Sequence, residues 1–176
     1  MVVSIVYASN MIDTRKLLWF ELENLAANMI ANRPWIFLQD FIQVLRQEEH
    51  SSPHSLHTDK RMRYFGDYLL HSELLDLSYR GNLFTWWTKN KSIPIAKKLE
   101  RILVNDKWVT LFSDAFANFG EPNFSDHAST SVVLTTQRNH SSKLLKFTTS
   151  FSSTQISMSG LLSTGILQIF LGLQCL

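Results

Sequence analysis

The tripeptide Ser125-Asp126-His127 holds the residue types best suited to chemistry in this sequence of 176 residues. An aspartate carboxylate can hold a metal or orient an imidazole, and a neutral imidazole can accept or donate a proton near pH 7. A polar loop over residues 120–124 precedes the tripeptide, and an apolar run over residues 131–134 follows it. The pattern predicts a catalytic dyad at the mouth of a strand, with a solvated surface loop as the alternative.

Upstream of this loop the sequence predicts one β-α-β unit. Residues 2–7 and 35–38 are short apolar runs without a helical period, which is typical of buried strands. The segment between them, residues 14–30, has the spacing of an amphipathic helix. Its inner stripe is predicted to be Leu18, Leu22, Leu25 and Met29. Because ligands of such sheets bind where the strands end, Tyr7 and Asp40 are expected to share one edge of the sheet.

Later segments predict one more amphipathic helix and several strands. These elements are a helix over residues 62–71 with Tyr64, Phe65, Tyr68 and Leu69 inward, a turn over 80–82, and strands over 83–87, 98–104, 115–119 and 130–135. Glu100 lies between apolar neighbours, where a buried carboxylate needs a partner. Trp86 is predicted to be either core or a stacking platform beside a nucleic-acid groove. The basic segment over residues 89–98 either contacts phosphates or forms a solvated loop.

Polar residues mark the predicted strand ends in the order Tyr7, Asn10, Asp40, Glu100, Asp126 and His127. Carboxylate oxygens hold Mg²⁺, which polarises a phosphate and stabilises the leaving oxyanion. A histidine or aspartate beside the metal positions the water and the phosphate. This set of residues is therefore suited to metal-dependent hydrolysis of phosphodiester bonds.

Short motifs in this order resemble the C-terminal half of the endonuclease/exonuclease/phosphatase superfamily domain, and most closely the endonucleases of plant LINE-type (non-LTR) retrotransposons. They are Val6-Tyr7-Ala8-Ser9-Asn10, Leu18-Trp19, Pro34-Trp35-Ile36 before Asp40-Phe41, Phe84-Thr85-Trp86, Leu99-Glu100-Arg101 and Ser125-Asp126-His127. The resemblance implies an α/β (α+β sandwich) fold that is half of a four-layer domain. It places a partial domain at residues 1–136 and a poorly ordered tail at residues 137–176.

The resemblance also implies a role for each site residue. Tyr7 and Asn10 would contact the scissile phosphate, and Asp40 would orient or deprotonate the attacking water. His127 would bind the phosphate and stabilise its developing charge, and Glu100 would orient His127.

The cofactor implied by the resemblance is Mg²⁺, and the implied partner is DNA. Asp126 would lie at the metal, and Trp86 would lie near the DNA groove. The family's main metal-binding glutamate belongs to an N-terminal half that lies outside this chain, so the chain is expected to need that half. The sequence leaves the location unknown, and a nuclear or cytoplasmic location is favoured over secretion.

Departures from the family pattern predict a truncated copy with weak or no activity. Ile42 stands where the family has an asparagine that holds phosphate or water, and Gln39 replaces a glycine. Glu100 replaces an aspartate and is longer by one methylene. The second of the two packed sheets is expected to be mostly missing, which would leave an apolar sheet face uncovered. The alternative function is a non-catalytic nucleic-acid-binding or structural remnant.

Composition limits the other function classes. A net charge of +2 is too small to indicate nucleic-acid binding by itself, and Cys175 as the single cysteine excludes a disulfide framework or a Cys-rich zinc site. The apolar residues 161–176 are shorter than the roughly 20 residues needed to cross a bilayer, so no membrane partner is expected. Residues 1–8 lack the pattern of a signal peptide. Three histidines, His50, His54 and His57, suggest either a zinc site or a solvated loop.

Overall fold

The computed structural model describes residues 1–30, 32–52, 60–90, 92–122, 125–135, 146–151, 154–163 and 166–175. Within them the elements follow in the order β1 (Val2–Tyr7), α1 (Ile12–Leu25), β2 (Trp35–Asp40), α2 (Lys60–His71), β3 (Leu74–Asp76), β4 (Tyr79–Gly81), β5 (Trp86–Trp87), β6 (Ala96–Lys97), β7 (Glu100–Asn105), α3 (Asp106–Leu111), β8 (Phe116–Phe119), β9 (Thr130–Thr135), β10 (Lys146–Phe151), β11 (Thr154–Ser163) and β12 (Ile166–Cys175). A π-helical turn, Ala26–Ile30, extends α1, and a 3₁₀ turn, Gln47–Glu49, follows β2.

The first sheet has the strand order β1-β2-β7-β3. Strands β1 and β2 are parallel and joined by α1, so the predicted β-α-β unit is confirmed, and Tyr7 and Asp40 are register partners at the edge where both strands end. Strand β7 runs antiparallel to β2 and β3. Glu100 at the start of β7 is therefore the register partner of Asp40.

Helices α1 and α2 cover one face of the first sheet. Their buried side chains pack on alternate residues of the strands, and this core contains Trp19, Leu22, Phe65, Tyr68, Leu69, Trp35, Phe37 and Leu103. The predicted inward positions were partly wrong, because Leu25 is 37% exposed and Tyr64 is 48% exposed. The buried face of α1 instead follows Arg15, Trp19 and Leu22 at helical spacing.

The second sheet has the order β10-β11-β12-β9-β8-β4 and covers the other face of the first sheet. The core between the sheets contains Ile36, Leu38, Ile102, Val104, Ala117, Phe119, Val132 and Leu134. The expectation of a mostly missing second sheet was therefore wrong: β4, β8 and β9 supply the layer that buries the apolar strand residues. The α/β sandwich predicted from the sequence is confirmed.

The predicted turn over residues 80–82 is partly strand. Residues Tyr79–Gly81 form β4, which pairs in parallel with β8. Gly81 has a φ of +91°, and a Cβ atom there would lie 2.0 Å from the Phe119 carbonyl oxygen. A glycine is required because no larger residue fits this close backbone approach.

The backbone described within the predicted tail forms strands β10, β11 and β12, and β12 pairs antiparallel with β9. The domain boundary at residue 136 stays a prediction. Among the residues that the structure describes, no helix has the length and apolar character needed to span a bilayer.

Candidate functional site

Two carboxylates meet where β2 ends and β7 begins. Asp40 and Glu100 are cross-strand partners, and both are buried. Leu38 lies two residues before Asp40 in β2, and Ile102 lies two residues after Glu100 in β7. Both face the second sheet. Because side chains alternate along a strand, the two carboxylates project towards the second sheet as well.

His127 reaches these carboxylates from the loop that leads into β9. Its Nδ1 atom lies within hydrogen-bonding distance of Glu100 Oε1, and 4.0 Å from Asp40 Oδ2. The loop is shaped by a hydrogen bond of 3.1 Å from the His127 backbone N–H to Ser125 Oγ. The structure therefore brings together a carboxylate pair from the first sheet and an imidazole from the loop before β9, a strand of the second sheet.

Buried Thr85 connects the histidine loop to the start of β7. Its Oγ1 atom accepts the backbone N–H groups of Leu99 and Glu100 at 2.9 and 3.0 Å. Its carbonyl oxygen accepts the N–H of Ala128 at 2.7 Å. One residue thus positions the backbone on both sides of the pair formed by Glu100 and His127. No role was predicted for this threonine, because a polar residue in an apolar strand carries no distinctive signal.

The charged groups of the cluster shift one another's pKa values. Burial, followed by the negative charge of Glu100, raises the pKa of Asp40 to about 6, although the Ile42 N–H and His127 act in the opposite direction. Burial alone would lower the pKa of His127. The hydrogen bond to Glu100 and the charges of Glu100, Asp40 and Asp126 outweigh burial and raise that pKa. A base near neutrality and an imidazole that favours its protonated form therefore lie side by side.

The cluster also has the composition of a cation site. One ligand atom each from Asp40, Glu100 and His127 lies within 4.8 Å of the others. Glu100 Oε2 is buried and has no hydrogen-bond partner within the described residues, so a ligand there would satisfy it. Two carboxylates and one imidazole fit a divalent cation, and they do not by themselves select Mg²⁺ over Mn²⁺.

Asp126, the residue predicted to lie at the metal, is placed beside this cluster rather than in it. Its carboxylate accepts the Trp86 indole N–H at 3.2 Å and lies 3.5 Å from Lys89 Nζ. Partial burial would raise the pKa of Asp126, but a backbone hydrogen bond, His127, Lys89 and Trp86 together lower it. The carboxylate is thus held ionised among donors.

A cleft of about 570 Å³ opens over the cluster. Of the residues predicted to contact substrate, Asn10 and Trp86 both line it. The side chain of Tyr7, which was predicted to contact the phosphate, is outside the part of the chain that the structure describes. His54 and His57 are outside it as well.

The cleft also contains three cationic residues, of which Arg15 and Arg61 had no predicted role, whereas Lys97 belongs to the basic segment over residues 89–98. Arg15, Arg61 and Lys97 line it together with Asp40 and His127. Arg15 is buried in α1, and its guanidinium donates to the carbonyl oxygens of Ser9 and Asn10 at 3.1 and 3.3 Å. A charged residue on the apolar face of a helix was the signal that could have revealed Arg15.

Ile42, one of the three positions that depart from the pattern of the resembled family, borders the same cleft in an unfavourable backbone conformation. Its φ is +50°, a region that β-branched residues avoid. Its N–H donates to Asp40 Oδ1 at 2.9 Å, which fixes the turn after β2. The turn therefore holds Asp40 in place while Ile42 presents only an apolar side chain.

A second buried charge cluster lies on the helical side of the first sheet. Arg101 is fully buried, and its guanidinium contacts the carboxylates of Glu49 and Asp76. Glu49 also accepts the backbone N–H groups of Leu45 and Arg46 at 2.6 and 3.2 Å. This cluster anchors the segment after β2, so its role is structural.

Comparisons with known proteins identify the fold. No protein-family model matches the sequence, and comparison with curated proteins finds no match. Among solved structures, the chain is similar to the endonuclease domain of TRAS1, a telomere-specific non-LTR retrotransposon, with a TM-score of 0.59 and 14% identity. The similarity covers 77% of this chain and 59% of that one, so the chain spans less than two thirds of that domain. The chain has the α/β fold of a retrotransposon endonuclease domain.

Proposed function

We propose that this chain is a fragment of a metal-dependent endonuclease domain of the LINE type, which cleaves DNA phosphodiester bonds slowly. The observation that carries the proposal is the cluster of Asp40, Glu100 and His127 within 4.8 Å of one another, in which Asp40 and His127 line a cleft. The similarity in fold to a retrotransposon endonuclease domain supports the same reaction class.

The chain's own residues divide the chemistry between a base and an acid. Asp40, with a pKa of about 6, is ionised near neutral pH and orients or deprotonates the attacking water. Glu100 holds the Nδ1 side of His127, and His127 in its protonated form stabilises the charge that develops on the phosphate. A divalent cation held by the carboxylates of Asp40 and Glu100 would polarise the phosphate and stabilise the leaving oxyanion, because a protonated His127 has no free nitrogen lone pair with which to bind it.

The walls of the cleft fit a polyanionic substrate. Asn10 contacts the scissile phosphate, and Arg15 positions the backbone that carries Asn10. Tyr7 ends the strand that leads into this loop and contributes a second phosphate contact. Asp126 supports the metal from beside the cluster, and Trp86 lies along the DNA groove.

Slow cleavage follows from Ile42. Its side chain has no polar atom with which to hold the phosphate or the water, although it borders the cleft. Missing one such contact in a transition state reduces the rate on the order of 10²-fold. Residues from the rest of a complete domain would add further contacts, since the chain spans 59% of the similar endonuclease domain.

The proposal is tested by nicking of supercoiled plasmid DNA with Mg²⁺ or Mn²⁺ and by calorimetric titration of Mn²⁺. We expect slow, cation-dependent nicking that His127→Ala abolishes, and Mn²⁺ binding that Glu100→Gln weakens. His71→Ala is the matched control, because His71 is exposed on α2, away from the cleft. Nicking that persists in His127→Ala, or the absence of both nicking and Mn²⁺ binding, would contradict the proposal.

A non-catalytic nucleic-acid-binding remnant is the second candidate. The cationic residues and Trp86 in the cleft favour it, as does the apolar side chain of Ile42. It predicts salt-dependent oligonucleotide binding without nicking under any divalent cation. Nicking that depends on His127 would exclude it.

A further inference from the structure

Four cleft residues form one cross-strand row. His50 pairs with Lys97 in a β-bridge, Lys97 pairs with Trp86 between β6 and β5, and Trp86 pairs with His127 in a second bridge. Directly opposed residues of antiparallel segments point to the same side, at a spacing of about 5 Å. All four residues line the cleft. The row therefore leads from the carboxylate cluster to His50, about 15 Å away.

His50 ends the row with a fixed hydrogen-bonding pattern. The imidazole is 6% exposed, and its Nδ1 atom accepts the backbone N–H of Ser52 at 3.0 Å. An Nδ1 atom that accepts carries no proton, so the neutral ring carries its proton on Nε2. Burial, followed by the charge of Lys97, lowers the pKa of His50, which keeps the ring neutral. His50 is thus a neutral N–H donor that lines the cleft.

Lys97 and Trp86 add a cation and an aromatic ring to the row. Lys97 is partly exposed, and its Nζ atom lies 5.6 Å from the centre of the Trp86 ring. The indole N–H of Trp86 is bonded to Asp126. This bond fixes the ring edge. The ring is half-buried and packs against Val44, Met62 and Leu99. A base would therefore stack on the exposed part of the ring, where the Lys97 ammonium also lies. A cation, an aromatic face and a neutral donor in a row match the parts of a single nucleic-acid strand.

We propose that His50 and Lys97 form a second phosphate subsite, distinct from the scissile phosphate at His127, which binds the strand as it leaves the cleavage site across Trp86. A base of this strand stacks on Trp86, Lys97 neutralises the phosphate beyond it, and His50 donates its Nε2 proton to an oxygen of the same phosphate. The subsite rests on the proposed function, because it assumes a nucleic-acid strand as substrate. It goes further because it assigns a path to that strand. It also names two residues that bind the strand away from the cleavage site.

The two residues predict different salt behaviour. Neutralising one phosphate of a single strand contributes about 0.7 to the slope of log K against log salt concentration. Removing the charge of Lys97 should therefore lower that slope by about 0.7. A neutral donor releases no counterion, so losing the His50 donor should weaken binding by about tenfold with the slope unchanged.

The test is fluorescence anisotropy with a labelled oligothymidylate of about twelve nucleotides in EDTA, where no cleavage occurs. The variants are Lys97→Met, His50→Asn and His50→Gln. Asparagine places an acceptor where Nδ1 accepts from Ser52 but has no donor at the Nε2 position, whereas glutamine places an amide N–H there. Glutamine should therefore retain more affinity than asparagine. Lys107→Met and His71→Asn are matched controls outside the cleft and should bind as the unchanged protein does.

The outcomes separate this subsite from the nuclease. A reduced slope in Lys97→Met alone, together with weaker binding and an unchanged slope in His50→Asn, supports the subsite. Wild-type affinity in both variants overturns it, as does an equal slope change in Lys107→Met. If the protein nicks plasmid DNA but these variants do not change oligonucleotide binding, the subsite proposal is wrong and the endonuclease proposal stands. If the predicted binding pattern is seen but no nicking occurs, the endonuclease proposal is wrong and the subsite proposal stands. If His50→Asn fails to fold, as judged by thermal unfolding, the Lys97→Met slope still decides for or against the subsite.

Discussion

The imidazole of His127, in the loop that leads into β9 of the second sheet, contacts the carboxylate of Glu100, which belongs to the first sheet. The other carboxylate oxygen of Glu100 is buried and has no hydrogen-bond partner within the described residues. The extra methylene of glutamate, compared with the aspartate of the family pattern, is thus accommodated in a contact with the histidine. Relative movement of the two sheets would separate this pair, so the site depends on the sandwich being intact.

Glu100→Gln should lower the pKa of His127, because an amide cannot stabilise the positive imidazole as the carboxylate does. The NMR titration of the His127 ring protons measures this directly, without any substrate. Nicking should fall by about 10²-fold, in keeping with the loss of an oriented acid. Glu121→Gln, in the exposed loop after β8, should leave the titration unchanged. An unshifted His127 titration in Glu100→Gln would show that the contact does not control the imidazole.

Asp40→Asn should stabilise the protein at neutral pH. The pKa of Asp40 is about 6 in the folded chain and 3.8 in the reference state, so the folded protein binds more protons between these values. Stability therefore falls as pH rises from about 4 to about 6, and the amide avoids this loss. The gain at pH 7.5 should be roughly 1–3 kcal/mol, reduced by the lost attraction to His127.

Urea unfolding in EDTA at pH 4 and pH 7.5 measures this effect. The difference between Asp40→Asn and the unchanged protein should be small at pH 4 and should appear at pH 7.5. Asp114→Asn, at an exposed position after α3, is the control. A stabilisation of equal size at both pH values would refute the link to Asp40 ionisation.

Ile42→Asn should stabilise the turn after β2. A β-branched residue at a φ of +50° is strained by about 1–2 kcal/mol, whereas asparagine adopts this region readily. The melting temperature should therefore rise. The rise is reduced because the Ile42 side chain no longer packs against the helical core. The amide also adds a polar group at the cleft, so plasmid nicking should become faster. Ile93→Asn, at an exposed site without positive φ, should give neither effect; an Ile42→Asn protein no more stable than Ile93→Asn would argue against strain.

Arg101→Met should destabilise the fold by about 3–5 kcal/mol, because it leaves Glu49 buried without its cation. Methionine fills a similar volume, so the loss reports the charge rather than a cavity. Arg33→Met, on the exposed loop before β2, should change the unfolding free energy by less than about 0.5 kcal/mol. Guanidinium unfolding compares the two, and a loss in Arg101→Met no larger than in Arg33→Met would mean that the buried network is not a stabilising element.

The sequence by itself determined the elements whose patterns are local. Strands β1, β2 and β9 have short apolar runs that identify them. The parallel pairing of β1 with β2 follows from their helical connection. The chain order of the site residues predicted a metal-dependent phosphodiesterase. The fold agrees with that of a retrotransposon endonuclease domain, and the metal dependence, the activity and the residue roles stay predictions.

Only the tertiary structure decided which of these residues meet. Asp40 and Glu100 become neighbours through an antiparallel pairing across 60 residues of chain, which no local pattern encodes. Asp126 and His127 are adjacent in sequence, yet the imidazole joins the carboxylate pair while the carboxylate turns to Trp86 and Lys89. The physical reason is that periodicity reports which face of an element is buried, whereas strand register and loop path set the distances between side chains.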